Sequence, residues 1–291
     1  MITSTTGTSM TGTFAGLTLD RPLIMGIVNA TPDSFSDGGE AFTFEDAVAR
    51  GIKMLEDGAD IIDVGGESTR PGAAPVSRDD EIARTVPVIA RLVREGASVS
   101  IDTRHAEVMR AALDAGACII NDVSALTGRG ALDVAARSDA AVVLMHMQGE
   151  PGTMQADPTY DDAPREVLAY LKSRVQACET AGITRARIAV DPGIGFGKTV
   201  DHNLQILQRL DLYQDLGLPV LLGVSRKSFI GTVANEPDAQ RRVPGSIAAA
   251  LWGVAQGGGV GQGVKILRVH DVAETVQALA VWRAIAGAAR P

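Results

Sequence analysis

Apolar residues fall along this chain in short runs with few polar interruptions, separated by stretches where they recur every three or four positions. The runs cover 23–28, 61–64, 99–101, 118–120, 140–145, 188–190, 220–224 and 266–269, and most are β-branched. Continuous rather than alternating apolarity predicts strands covered on both faces, the condition of a parallel sheet. The intervening periodicity predicts helices over 44–57, from Ser77 onward, and over 105–115, 131–138, 162–181, 202–210, 245–256 and 271–286. Thr43 with Asp46 reads as the cap of the first helix and Gly58 as its stop. Ser77 precedes an acidic turn, and Ile82, Val86, Ile89 and Val93 share one face. Pro87 in that stretch predicts a kink or a later start.

Eight strand–helix units follow one another with no linker between halves. At 291 residues, a prior of ~150 residues per domain suggests two domains, but α/β barrels reach ~250 residues as one. The expected fold is a single (β/α)8 TIM barrel over 17–291. An open doubly wound sheet would carry a glycine fingerprint after its first strand. Here Met25–Asn29 runs into Ala30, Thr31, Pro32 and Asp33 instead. Residues 1–16, rich in Thr, Ser and Gly and lacking Lys and Arg, read as a flexible tail. They have neither the charged nor the apolar region of a signal peptide.

Composition narrows the function classes. Apolar residues are 45% and charged residues 21%, so a packed core is available and wholesale disorder is excluded. A net charge of −8 argues against nucleic acid or an anionic membrane as partner. No apolar run approaches the ~18 residues of a membrane span. Cys118 and Cys178 lack metal or redox spacing and read as free thiols, so a cytoplasmic protein is expected.

Polar residues follow almost every strand. Asn29 ends the first, Asp63-Val-Gly-Gly-Glu-Ser-Thr-Arg70 follows the second, and Asp102-Thr-Arg104 the third. Asn121-Asp122, His146, Asp191-Pro-Gly193, Ser225-Arg-Lys227 and Arg268-Val-His270-Asp271 complete the series. In a barrel these ends converge on the face that carries catalysis. Helix capping accounts for an Asp or Asn, but not for Lys or Arg in the same crown. Arg268 and His270, two residues apart, belong to one strand face. The first and second loops, 31–39 and 65–72, pair glycines with Phe35 and Arg70, a composition suited to mobile lids. His105 and His202 read as surface helix residues. No Ser-His-Asp or Cys-His arrangement is evident.

These segments, 25–39, 63–72, 191–198, 225–227 and 268–271, are together similar to the signatures of the dihydropteroate synthase family, in order and from about Leu23 to near the C-terminus. The resemblance implies a transferase of folate biosynthesis and a target of sulfonamides. It would condense 6-hydroxymethyl-7,8-dihydropterin diphosphate with p-aminobenzoate to 7,8-dihydropteroate, releasing pyrophosphate by dissociative substitution. It further implies that Asp102, Asn121, Asp191 and Lys227 hold the pterin, with Asp191 on its N3/2-amino edge. Met145, Phe196 and Gly223 would wall the pocket. Asn29, Arg70, Arg268 and His270 would meet the diphosphate, with Asn29 as ligand to Mg²⁺. Phe35, Thr69, Pro71, Lys227 and Ser228 would frame p-aminobenzoate, and Asp37 would stabilise a cationic intermediate. A homodimer is expected on the same ground.

The glycine stretch at 257–263 is longer than the family usually has and reads as a loop on the far face. The loop at 147–162 has no assigned role. Two other readings share the scaffold. A pterin-binding methyltransferase domain would have no use for Arg70, Arg268 and His270. A non-catalytic pterin-binding paralogue should have lost one of the signature blocks, and all are intact.

Overall fold

The computed structural model describes residues 12–31, 43–68, 76–150, 152–256 and 263–288. A hairpin of β1 (Thr13–Phe14) and β2 (Leu17–Thr18) leads into the repeating units. These are β3 (Leu23–Asn29), α1 (Phe44–Glu56), β4 (Ile61–Gly65), α2 (Arg78–Arg94), β5 (Val99–Asp102) and α3 (Ala106–Asp114). Then come β6 (Ile119–Asp122), α4 (Ala131–Arg137), β7 (Ala141–Met145), α5 (Ala163–Thr180) and β8 (Ile188–Asp191). The last units are α6 (Val200–Gln208), α7 (Asp211–Gln214), β9 (Leu221–Leu222), α8 (Ser228–Ala234), α9 (Val243–Ala255), β10 (Ile266–Val269) and α10 (Val272–Gly287).

The large sheet has eight parallel strands in the order β8-β7-β6-β5-β4-β3-β10-β9. A parallel bridge between Val190 and Val220 brings its two ends together. The expected barrel is thus present, nearly closed, with β9 cut to two residues before Gly223, a residue with no side chain to pack in a strand.

Strand periodicity then sorts every side chain. Leu23, Met25, Ile61, Ile119, Ala141, Val143, Ala189, Leu221 and Ile266 form the barrel interior. Their neighbours Ile24, Ile62, Ile120, Val142, Val190, Leu222 and Leu267 pack outward against the helices. Two residues beyond an inward apolar residue, the next inward position lies nearer the C-terminal mouth. On several strands that position is polar: Asp63 after Ile61, Asn121 after Ile119, Asp191 after Ala189, Arg268 after Ile266.

The segment expected to be a tail needs correction. Residues 13–18 pair as a hairpin, and Phe14 is fully buried in the interior cluster with Leu19 and Leu23. Burying a phenyl ring at the N-terminal mouth outweighs the low order that Thr and Gly favour. Residues 1–11 lie outside the described residues. Pro87 neither ends nor delays α2, because Val88, Ile89 and Leu92 bury the core face of that helix. Ser77 accepts the Asp80 amide and fixes its start. Thr43 caps α1 in a capping box with Asp46, as its spacing predicts.

Candidate active site

The inward polar residues at the strand tips meet. Arg268 Nε donates to Asp63 Oδ2 at 2.6 Å, and its Nη2 donates to Asp102 Oδ2 at 2.6 Å. Asn121 Nδ2 donates to the same Asp63 oxygen at 3.0 Å. One guanidinium from β10 thus ties together the ends of β4 and β5, and Asn121 joins β6 to the same carboxylate. Asp63 is fully buried, and such a carboxylate is tolerated only when a cation faces it. Sequence reasoning left Asp63 out of the site. Its place two residues beyond inward-facing Ile61 was the available signal. Asp102 pairs with Arg268 rather than with nearby Arg104, which turns to Glu67 and Glu150. Adjacent Asp122 faces away from the interior and accepts Ser124 and Leu126 amides, so it shapes a turn.

A second group faces this one. Asp191 ends β8 and accepts the Gly193 amide at 2.7 Å. Lys227, which precedes α8, sets its ammonium 4.1 Å from the centroid of the Phe196 ring, a cation–π contact. Phe196 is buried with Met145, Val123 and Met154, giving an apolar wall beside the carboxylates. Met154 assigns part of the 147–162 loop: it completes this wall. The same loop is tied down by Gln155 Nε2 to Gly195 O at 2.6 Å and by Tyr160 Oη to Gly197 O at 2.7 Å. Lys198 was not expected in a functional setting. Its buried ammonium donates to the carbonyls of Gly193 and Phe196 at 2.9 Å each and sits 3.0 Å from His146 Nδ1. It seats the loop that presents Phe196.

The electrostatics show how close these groups are. Burial pushes the Asp102 carboxyl up to about 7 against the pull of Arg268, with Asp63, Glu81 and Asp122 adding to the rise. Burial likewise raises Asp191 to about 6, opposed by the Gly193 amide, Lys227, Arg268 and Lys198. Lys227 falls to about 8 through burial and the neighbouring Arg268. Lys198 falls to about 7, chiefly through burial. Arg268 rises above its ordinary value: burial opposes this, but Asp63, Asp102 and Asp191 prevail. Asp191 and Arg268 therefore act on one small volume.

Around its rim, His270 follows β10 on the Arg268 face and sits 3.0 Å from Ser225 Oγ through Nδ1. Burial and the cations Arg268, Arg226, Arg50 and Lys227 hold its imidazole well below the ordinary value. Asn29 is half-buried at the tip of β3, Gly223 follows β9, and Ser228 is exposed at the first position of α8. Phe35, Asp37, Thr69, Arg70 and Pro71 lie outside the described residues, as does the glycine stretch apart from Gly263. His105 and His202 are half-buried rather than on the surface. His105 precedes α3 within 4.0 Å of Glu67 and Glu81, and His202 closes the capping box of α6. Cys118 and Cys178 are free.

The chain that carries this crown is similar to known proteins. The profile of pterin binding enzymes covers residues 25–270. Dihydropteroate synthase of Neisseria meningitidis serogroup C is 49% identical over 271 residues, covering 92% of this chain and 94% of that protein. The chain belongs to the dihydropteroate synthase family. Solved structures of the family share its shape. Dihydropteroate synthase of Xanthomonas albilineans with 4-aminobenzoic acid superposes at a TM-score of 0.87 and 51% identity, covering 94% of this chain and 97% of that one. The enzyme from the same organism in complex with 7,8-dihydropteroate gives 0.84 and 48%, over 94% and 97%. Identity of this extent to dihydropteroate synthases overturns the methyltransferase alternative. No helix among the described residues is long and apolar enough to cross a membrane.

Proposed function

We propose that the chain condenses 6-hydroxymethyl-7,8-dihydropterin diphosphate with p-aminobenzoate, forming 7,8-dihydropteroate and releasing pyrophosphate. The observation that carries this reading is the convergence of Asp63, Asp102, Asn121, Asp191, Lys227 and Arg268, buried or half-buried, beside the Phe196–Met145 wall. A flat aminopyrimidine edge offers N–H donors, and Asp191 with Asp102 and Asn121 offers the matching acceptors. Phe196 and Met145 cover its faces, and Lys227 donates to a ring acceptor. The pterin is electron-rich, so departure of the diphosphate leaves a stabilised carbocation. Positioning and charge stabilisation suffice, and no covalent nucleophile is required.

The diphosphate meets a balanced site. Asp63, Asp102 and Asp191 are matched by Lys198, Lys227 and Arg268, so these residues hold no surplus cation. Bonds to Asp63 and Asp102 use Nε and Nη2 of Arg268, which leaves Nη1 to donate to a phosphate oxygen. His270 adds a ring N–H. Among the described residues no cluster of three or more His, Cys, Asp or Glu could cage a metal. By family resemblance the Asn29 side-chain oxygen would hold Mg²⁺, an ion that keeps several waters and needs few protein ligands. When bound, Mg²⁺ supplies charge neutralisation of the leaving group. By family resemblance Arg70 reaches the diphosphate and Asp37 the cation, while Phe35, Thr69, Pro71, Lys227 and Ser228 frame p-aminobenzoate.

An apolar groove supports a homodimer. Leu204, Leu207, Phe229, Val233, Ala249 and Trp252 line a cavity of about 420 Å³ across α6, α8 and α9, and Trp252 and Val233 are exposed. Such a patch marks an interaction surface. Free thiols and an acidic surface support a cytoplasmic setting.

Pyrophosphate release from the pterin diphosphate tests the reaction. Release is expected to require both p-aminobenzoate and Mg²⁺ for sustained turnover. An enzyme that releases none with all components present overturns the reading.

A further inference from the structure

We propose that Ser225 is a positioning residue that fixes the tautomer of His270, leaving the ring proton on Nε2 as a donor to the departing diphosphate. This rests on the reaction proposed above. Ser225 is buried, and its Oγ has two partners among the described residues. The His270 backbone N–H donates to it at 3.1 Å, and His270 Nδ1 lies 3.0 Å away. The first contact uses Oγ as acceptor. The hydroxyl proton then needs an acceptor of its own, and Nδ1 is the one within reach. Were Nδ1 protonated, Oγ would accept twice and its proton would stay buried and unpaired, which native structures avoid. The pairing Oγ–H to Nδ1 satisfies every atom and puts the ring N–H on the edge away from Ser225.

The backbone holding Ser225 is itself clamped. Arg226 has a left-handed φ of 58°, unusual for a residue with a side chain. Its N–H donates to Ser246 Oγ at 2.8 Å, and its guanidinium grips Asp271 at 3.1 and 2.5 Å and Gln240 at 2.6 Å. Two adjacent residues after β9 therefore hold two adjacent residues after β10, Ser225 on His270 and Arg226 on Asp271. Register between Lys227 and the Arg268–His270 pair follows. Burial first, and then the cations around it (Arg268, Arg226, Arg50 and Lys227), disfavour the charged ring of His270, so the tautomer decides which edge donates.

The chain has four histidines, so long-range ¹⁵N–¹H spectra of the ligand-free protein resolve each ring, with His270→Gln identifying the signal. The wild type is expected to show His270 protonated at Nε2 and not at Nδ1. Ser225→Ala is expected to give mixed tautomers and a kcat lowered about 10–100-fold, the usual range for loss of an outer-shell orienting group, with KM for p-aminobenzoate unchanged. Ser225→Thr keeps the hydroxyl and is expected to restore the single tautomer and most of kcat. A proton on Nδ1 in the wild type overturns the proposal whatever the variants do. So does Ser225→Ala with an unmixed Nε2–H tautomer and wild-type kcat. Failure of the wild type to release pyrophosphate overturns the reaction instead, and the spectra still decide the role of Ser225.

Discussion

Arg268 and Asp63 meet at 2.6 Å across the mouth of the barrel, from β10 to β4, with β3 between them. Neither residue could be buried alone. Asp102 shares the cation and Asn121 shares the carboxylate, so the cation proposed above to face the diphosphate is also part of a network joining the tips of β4, β5, β6 and β10.

Replacing Arg268 by Met should therefore cost stability as well as turnover. Two carboxylates would lose their cation, and breaking a buried pair costs about 3–5 kcal/mol. Urea denaturation checks this. Adding Asp63→Asn should recover part of the loss, because the orphaned charge disappears. Stability within 1 kcal/mol of wild type would show that the pair is not a structural tie.

Asp191 predicts a pH dependence of pterin binding. Its carboxyl titrates near 6 in the ligand-free site, and only the carboxylate accepts two N–H donors from a pterin edge. Affinity should fall as pH drops from 7 to 5, and Asp191→Asn should flatten the profile. The raised value also acts on the fold. Its stabilising contribution is complete below the ordinary carboxylate pKa and is lost as pH rises through about 6. Calorimetric titration of a pterin across this range, with thermal melts alongside, measures both.

Lys227→Ala should weaken two ligands at once, since its ammonium lies over the Phe196 ring while its backbone caps the start of α8 beside Ser228. Hydrogen bonds to charged groups are worth about 1.5–3 kcal/mol, so roughly a tenfold or greater loss is expected for pterin and for p-aminobenzoate. Isothermal titration with each ligand decides it. Loss of only one would confine Lys227 to that subsite.

Phe14→Ala tests the hairpin that closes the N-terminal mouth. The ring is fully buried among Leu19, Leu23 and Met25, and truncating such a ring costs about 3–5 kcal/mol. Chemical denaturation should show that loss while kcat stays near wild type, because the site lies at the opposite mouth. A change below 1 kcal/mol would return the segment to the status of a tail.

Trp252→Glu tests the groove across α6, α8 and α9. Sedimentation velocity should find a dimer in the wild type and a monomer in the variant. An unchanged mass would place any interface elsewhere.

Much of this molecule was legible from residue order alone. Eight continuous apolar runs imply a parallel sheet, and the caps at Thr43 and Ser77 mark helix starts, because both signals depend on neighbours within a few residues. The polar tips Asp102, Asn121, Asp191, Lys227 and Arg268 were legible for the same reason: each lies within an apolar run or no more than three residues past one. Asp63 stood in plain view but its role did not, because its partner lies more than two hundred positions away on β10. The segment carrying Phe14 reads as a tail until a hydrophobic mouth is there to receive it, and Lys198 has no assigned role until the Gly193 and Phe196 carbonyls surround it.

Sequence by itself determined the alternation of elements, the shared strand face of Arg268 and His270, and the inventory of charges at the tips, since backbone periodicity and local capping need no distant contact. Tertiary structure alone decided which charge faces which, which carboxyls titrate near neutrality, and which hydroxyl orients His270. Those properties arise from burial and from distances between strands, and neither exists until the sheet curves round to bring its ends together.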